Sequence, residues 1–301
     1  MAAPHDLPME LPVIDLDVYL HQDIDSSLVQ DECKKAAQAL ITYGALVLHD
    51  SRVSEDDNTT FLDLLEDYFA QPEERLREDE RPELGFQVGV TLENTEKPKC
   101  AVDEPCLDVI QRLAESERPL DIAGHEPDPK CRFFWRMTEK PPTPPTPTAS
   151  DLQKYGQKDT ILAGFHTDLN FLTIHGRSRY PGLHIWARNT GKRIAQLEHF
   201  TGGLVKAGFH EVVVNERTLD VIAQRKISYP DRPLVRISST FFWHLSSDFD
   251  LVPLPELAEK ARSVRAEQAQ LGRDEGEEVV YPPLKVGKQV ESELRHIALL
   301  A

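Results

Sequence analysis

One apolar stretch that contains two closely spaced polar side chains, residues 163 to 174, constrains the fold of this chain most. It reads AGFHTDLNFLTI and is predicted to form a strand that then bends. Residues i and i+2 of a strand point to the same face, so His166 and Asp168 can reach one point in space. An H-x-D pattern alone arises often by chance. The rest of the chain has to supply further ligands before the pair indicates a metal site.

A downstream histidine completes a ligand set. His210 opens an apolar strand, whereas its one rival, His199, precedes a Thr-Gly-Gly turn. Two imidazoles and one carboxylate can hold non-haem Fe(II) on one face and leave the opposite positions open for O2 and an organic co-substrate. We therefore predict that His166, Asp168 and His210 bind a metal ion. The other histidines near these strands are interpreted as structural or surface residues: His175, His184, His199 and His244.

A cation on a later strand is the candidate anchor for a co-substrate. Arg236 and Ser238 share a strand face, so a guanidinium and a hydroxyl can both bind one carboxylate. Arginine suits this role because its planar fork pairs bidentately with carboxylates. Tyr155 is a further candidate for lining the site, with a packing role as the equal alternative.

Composition limits the classes of function. The chain has 301 residues with 34 basic and 51 acidic side chains, a net charge of −17, which disfavours nucleic-acid binding. No run of 18 apolar residues and no signal peptide is found, so we expect a cytoplasmic protein that neither spans nor binds a membrane. The four cysteines match no zinc framework and are predicted to be free thiols. Nothing indicates an obligate protein partner.

The pattern along the chain predicts helices and strands in a definite order. Strands are expected at 12–16 and 45–48, the latter buried, and helices at about 26–43 and 54–71, with Ser54 and Asp57 as a capping box. Further helices are predicted near 107–114 and 219–227, and over 255–273 and 286–300. Short strands are predicted around residues 171–174, 182–186, 204–205, 212–214, 234–238 and 240–243.

These elements favour a mainly β fold with flanking helices. Several short strands separated by polar turns are typical of a jelly roll or barrel. The Pro/Thr run near 141–150 is predicted to be a semi-rigid linker. It would separate an N-terminal α/β region, residues 1–140, from a catalytic jelly-roll domain with C-terminal helices, residues 151–301.

The segments around these residues resemble the isopenicillin N synthase-like family of Fe(II)/2-oxoglutarate-dependent oxygenases. The resemblance lies in residues 164–175, 201–213 and 236–242, and extends more loosely to 11–16, 45–48, 86–91 and 281–290. It implies a double-stranded β-helix core, with Fe(II) on His166, Asp168 and His210. It also implies 2-oxoglutarate as co-substrate, with its distal carboxylate on Arg236 and Ser238, and oxidation of a small organic substrate by O2 with release of succinate and CO2.

The chain departs from the family pattern in length, and this keeps two alternatives open. Only 41 residues, 169 to 209, separate Asp168 from His210, so we expect a core one strand short, and the usual helix before the sheet is missing. The first alternative is a non-catalytic jelly-roll relative whose missing segments have disabled the site. The second is an oxidase of the isopenicillin N synthase type that does not use 2-oxoglutarate. The resemblance does not identify the substrate.

Overall fold

The computed structural model describes residues 10–96, 100, 103–120, 126–134, 146–186, 195–270 and 279–296. Its helices are α1 Leu16–His21, α2 Ser27–Tyr43, α3 Glu55–Phe69, α4 Glu73–Arg77, α5 Glu104–Arg112, α6 Leu152–Tyr155, α7 Gln196–Phe200, α8 Glu216–Ser228, α9 Pro255–Gln270 and α10 Val286–His296. Its strands are β1 Val13–Asp15, β2 Val47–His49, β3 Gly89–Thr91, β4 Cys131–Phe134, β5 Thr146–Asp151, β6 Ile161–His166, β7 Leu172–His175, β8 Leu183–Trp186, β9 Phe209–Val213, β10 Val235–Trp243, β11 Asp250–Leu251 and β12 Leu284–Lys285. The chain is therefore rich in strands with flanking helices, as predicted.

Two antiparallel sheets form the centre of the structure. The larger has the strand order β3-β4-β5-β10-β7, and the smaller has the order β6-β9-β8. The remaining strands form two small pairs, parallel β1-β2 and antiparallel β11-β12. Strands from distant parts of the chain are thus neighbours in the larger sheet, which places residues near 90, 132, 148 and 237 side by side.

The helix signals in the first third of the chain are confirmed. Ser26 caps α2, and Gly44 ends it in the left-handed region at φ 68°. Ser54 and Asp57 form the predicted capping box of α3. Two details differ from prediction. Leu64 is 65% exposed instead of facing the core, and β2 is exposed along its length because it pairs only with β1 in the described part of the chain.

The end of the predicted linker is a strand. Residues 141–145 lie outside the described residues, but 146–151 form β5, between β4 and β10. Residue 147 is a proline without an N–H, which argues against a central strand. The ladder between β4 and β5 includes only Thr148 and Ala149 on β5, so it begins beyond that proline. Strands from both sides of the predicted linker share one sheet, and the division into domains stays a prediction.

Two further strand predictions are corrected. The segments 234–238 and 240–243 are one continuous strand, β10, and residues 204–205 lie in a turn after α7.

Packing on the outer faces of the sheets leaves the inner faces free to line a cavity. On the larger sheet, Val235 and Ile237 of β10 pack with Leu62 of α3. On the smaller sheet, Ile222 of α8 packs with Leu162 of β6. Because side chains alternate along a strand, the neighbours of Val235 and Ile237 on β10 must point to the space between the sheets.

Two of the four cysteines are not free thiols, contrary to prediction. Cys100 and Cys106 form a disulfide with a Cα–Cα distance of 4.9 Å, buried against Phe165 and Phe209. Cys33 and Cys131 are free. Among the described helices, none combines the length and apolar character needed to cross a membrane.

Candidate metal centre and cavity

Cross-strand pairing brings the predicted metal ligands together. His166, at the end of β6, is the direct partner of His210 on β9, and their ring centroids lie 4.2 Å apart. Behind them, Phe165 and Phe209 stack with centroids 4.5 Å apart, which fixes the two strands at this point. Asp168 Oδ1 lies 3.7 Å from His166 Nε2 and 3.9 Å from His210 Nε2. One ligand atom from each of the three side chains lies within 4.8 Å of the other two.

A backbone hydrogen bond orients the first imidazole. Nδ1 of His166 lies 2.6 Å from the carbonyl oxygen of Gly164. Since a carbonyl can only accept, Nδ1 carries the proton and Nε2 keeps its lone pair for a metal ion.

The protonation states suit a cation. Burial lowers the pKa of His166, and burial together with the His166 imidazole lowers the pKa of His210 to about 4. Burial alone would raise the pKa of Asp168, but the facing imidazoles outweigh it and lower that pKa. Near neutral pH the site therefore presents two neutral imidazoles and a carboxylate, which are the forms that bind metals.

The three side chains line a cavity of about 680 Å³ between the two sheets. Arg236 and Ser238 line it from β10, as their alternation with Val235 and Ile237 requires. Arg236 is 5% exposed, and its Nη1 donates to the hydroxyl of Ser238. Burial lowers its pKa to about 10, and no carboxylate among the described residues forms an ion pair with it. A buried cation without a counter-ion indicates a site for an anion.

For Tyr155 the contacts favour packing over lining the site, and the interpretation of three histidines needs correction. Tyr155 is not among the described residues that line the cavity. It lies on α6 and packs against the cluster that contains Leu152 and Ile222, and its hydroxyl accepts from Asn94 Nδ2 at 3.4 Å. By contrast, three of the histidines interpreted as structural or surface residues line the cavity: His175, His184 and His244. His175 Nε2 lies 4.0 Å from Asp168 Oδ2.

The rival ligand, His199, is not among the described residues that line this cavity. It lies on α7, fully buried, with its ring 5.6 Å from that of Tyr281. This position agrees with the structural role predicted for it.

A buried polar cluster that lines the same cavity was not predicted. We call Glu96, Asp128, Lys130 and Arg132 the second cluster, and all four line the cavity. Lys130 Nζ lies 3.1 Å from Glu96 Oε2 and 2.8 Å from Asp128 Oδ2, and Arg132 Nη1 pairs with Glu96. Part of the signal was present, because residues 128, 130, 132 and 134 follow the period of two that places side chains on one strand face.

Asp128 links the second cluster to the metal site. Its Oδ1 accepts from the N–H of Gly164 at 3.2 Å, at the point where the β6–β9 register shifts. The carbonyl of the same Gly164 holds His166.

Replacing Asp128 should weaken Fe(II) binding. We expect Asp128→Ala to weaken it roughly 10–100-fold, as loss of a group supporting a ligand typically does, and Asp128→Asn to weaken it less because the amide oxygen can still accept. Competition titration with a chromophoric chelator measures both, and equal affinities in the two variants would contradict this role.

Comparison with known proteins places this geometry in context. No protein-family model matches the chain, and no curated protein matches it in sequence. Solved structures do match. A full-length Neurospora crassa protein in complex with alpha-KG has a TM-score of 0.61 at 15% identity over 95% of each chain. A putative 2OG-Fe(II) oxygenase family protein from Caulobacter crescentus has a TM-score of 0.53 at 14% identity over 95% of this chain and 99% of its own. The chain has the fold of the Fe(II)/2-oxoglutarate oxygenases.

A third solved structure with this oxygenase fold contains the metal itself. JOX2, in complex with 2OG, Fe and JA, has a TM-score of 0.53 at 14% identity over 97% of this chain and 88% of its own. The resemblance inferred from the sequence is thus confirmed at the level of the oxygenase fold. The narrower resemblance to isopenicillin N synthase stays a prediction.

Proposed function

We propose that this chain is a non-haem Fe(II)- and 2-oxoglutarate-dependent dioxygenase that oxidises a small organic substrate. The observation that carries the proposal is the convergence of His166, Asp168 and His210 within 4.8 Å, in a cavity that also contains the buried Arg236. The oxygenase fold adds support, since similar solved structures hold alpha-KG, or 2OG with Fe.

The donor set fits Fe(II). Two neutral imidazoles and one carboxylate bind it on one face and leave the other positions open, which is the arrangement typical of non-haem oxygenases. Bound Fe(II) with O2 supplies the oxidative decarboxylation of 2-oxoglutarate to succinate and CO2, coupled to oxidation of a substrate C–H bond. His166 and His210 would bind the metal through Nε2, while the Gly164 carbonyl keeps the His166 ring in that orientation.

Arg236 and Ser238 would bind the distal carboxylate of 2-oxoglutarate. The Arg236 fork can pair with both carboxylate oxygens, and the Ser238 hydroxyl, which now accepts from Arg236, can donate to one of them. Burial strengthens this pairing because little water competes for the guanidinium. His175, on β7 beside β10, would line the space between this anchor and the metal.

We infer a double-stranded β-helix core that is one strand short within the described residues. From β5 to β8 successive strands alternate between the larger and the smaller sheet, and β9 to β10 does so again. Between β5 and β10, only the step from β8 to β9 stays within one sheet. A single strand in the larger sheet between them would restore the alternation, and residues 187–194 at this point lie outside the described residues.

Anaerobic titration of the metal-free protein with Fe(II) and 2-oxoglutarate tests the proposal. Chelation of Fe(II) by the keto acid gives a visible charge-transfer band, and subsequent exposure to O2 should yield succinate. Absence of the band in folded protein would favour the non-catalytic alternative. A substrate-dependent uptake of O2 without succinate would favour an oxidase of the isopenicillin N synthase type.

Replacing Arg236 should separate co-substrate binding from metal binding. We expect Arg236→Met to raise the 2-oxoglutarate concentration at half-maximal band roughly 10–150-fold, because charged hydrogen bonds contribute about 1.5–3 kcal/mol. Arg236→Lys keeps the positive charge but not the planar guanidinium fork, so the 2-oxoglutarate concentration at half-maximal band should rise less than in Arg236→Met. Fe(II) affinity without 2-oxoglutarate should stay unchanged in both variants, and an equal loss of metal binding would contradict the assignment.

A further inference from the structure

The second cluster lies on the same sheet face as the co-substrate anchor, at a distance from it. Arg132 on β4 pairs across to Thr148 on β5, and Thr148 pairs across to Ser238 on β10. Directly paired residues share a face, and strands are about 4.8 Å apart, so Arg132 and Ser238 are separated by roughly 10 Å on one cavity wall. This wall therefore offers two separate polar binding positions.

The two positions differ in charge balance. Arg236 has no ion-pair partner among the described residues, whereas the second cluster contains two cations and two carboxylates that already pair with one another. Its side chains are only 4% to 15% exposed. An added anion there would leave a buried excess of negative charge, and an added cation would leave a buried excess of positive charge. Both arrangements cost free energy because the excess charge has no partner.

Hydrogen bonding remains open to an uncharged molecule at the second cluster. The Glu96 carboxylate can accept bonds, while Lys130 and Arg132 can donate them. Two aromatic rings line the cavity beside these groups. Arg132 lies over the ring of Phe134 at 3.7 Å, and Phe134 meets Phe242 edge-on with centroids 6.0 Å apart. Aromatic rings next to paired donors and acceptors suit a ligand ring that carries polar groups.

We propose that the second cluster binds the substrate, and that this substrate is an uncharged planar molecule with adjacent hydrogen-bond donors and acceptors, such as a cyclic amide or imide. The proposal rests on the proposed function, which assigns Arg236 to 2-oxoglutarate and leaves the second cluster to the substrate. It identifies a chemical class and excludes carboxylic acids and amines as the group held there.

Calorimetric titration in the Arg236→Met variant tests the proposal without metal or 2-oxoglutarate. This background removes the cation at the anion position, so binding of benzoate cannot be attributed to Arg236. The probes are glutarimide and 2-pyridone as uncharged ligands, benzoate as anion and benzylamine as cation. We expect measurable binding of the uncharged probes only. Tighter binding of benzoate or benzylamine, or no binding of either uncharged probe, would overturn the proposal.

Glu96→Gln in the same background should reverse the preference. Loss of one negative charge leaves the second cluster cationic. The affinity for benzoate should therefore rise roughly tenfold or more, and the affinity for glutarimide should fall by a similar factor. Glu93→Gln is the matched control, because Glu93 pairs with Lys154 at 3.1 Å and is not among the described cavity residues. An identical response of both variants would overturn the proposal. If Glu96→Gln fails to fold, as judged by circular dichroism, the probe preference of Arg236→Met alone decides.

The two proposals fail in different ways. A charge-transfer band with no binding of uncharged probes would leave the oxygenase assignment standing and overturn the substrate class. Binding of uncharged probes without any band would support the second cluster as a binding site and count against the oxygenase assignment.

Discussion

Replacing His210 with alanine is expected to abolish the charge-transfer band that Fe(II) and 2-oxoglutarate form in the unmodified protein. His210 is one of only two imidazoles in the ligand set, and its Nε2 lies 3.9 Å from the Asp168 carboxylate. Loss of a group that merely supports a ligand costs roughly 10–100-fold in affinity, so loss of the ligand should exceed about 100-fold. Anaerobic titration measures the effect as loss of the band up to the highest Fe(II) concentration tested.

The matched control lies in a second group of possible ligands. Asp15, Asp17 and His49 also place ligand atoms within 4.8 Å, but His49 is exposed and the group has one imidazole. We therefore expect His49→Ala to leave the band intact. Retention of the band in His210→Ala together with its loss in His49→Ala would move the metal to the N-terminal group and contradict the proposed centre.

Replacing Glu66 with glutamine is expected to cost about 3–5 kcal/mol of unfolding free energy, the typical result of breaking a buried ion pair. Glu66 is 1% exposed and pairs with three arginines. Arg179 and Arg225 each lie 2.7 Å from one of its oxygens, and Arg232 lies 3.3 Å away. These contacts tie α3 to α8 and to the connections after β7 and α8. Without the carboxylate, Arg225 would remain buried without its ion pair, whereas Arg179 would keep only its pair with Asp63 at 2.8 Å.

A neighbouring pair on the same helix is the control. Asp67 also pairs with Arg232, at 2.7 Å, but its side chain is 59% exposed. Because exposed pairs contribute little, we expect Asp67→Asn to cost less than about 1 kcal/mol. Urea denaturation compares the two variants through their midpoints at constant slope. Similar midpoint shifts would show that the arginine network is not centred on Glu66.

Local periodicity explains which site residues the sequence could predict. His166 with Asp168, and Arg236 with Ser238, are spaced by two residues on strands, so a shared face follows from strand geometry alone. The meeting of His166 with His210 depends on the β6–β9 register, which no local pattern encodes. His210 was predicted as a ligand because it opens a downstream strand, and the family resemblance supported that choice. The strand-rich fold with flanking helices was likewise predicted from local periodicity and from family resemblance.

The errors arose where tertiary contacts override local signals. The second cluster depends on Glu96 meeting Arg132 and Lys130, which no local pattern in a charged and irregular-looking region predicts. The apolar β2 resembled a buried strand, but within the described chain only β1 pairs with it. For Tyr155 the sequence left lining the site and packing as equal alternatives, and its contacts with the cluster around Leu152 favour packing.

Asp128 gives the cavity a thermodynamic property beyond its separate contacts. One of its oxygens faces the Gly164 N–H behind a metal ligand, and the other faces Lys130 of the second cluster, at 3.2 Å and 2.8 Å. A molecule that drew Lys130 away from Asp128 would disturb the support of Gly164, whose carbonyl orients His166, so we expect occupancy of the second cluster to change the affinity for Fe(II). Linkage makes this reciprocal: whatever factor the occupant applies to Fe(II) affinity, Fe(II) applies to the affinity for the occupant. Through one carboxylate, we therefore expect the affinity measured at either position to depend on whether the other is occupied.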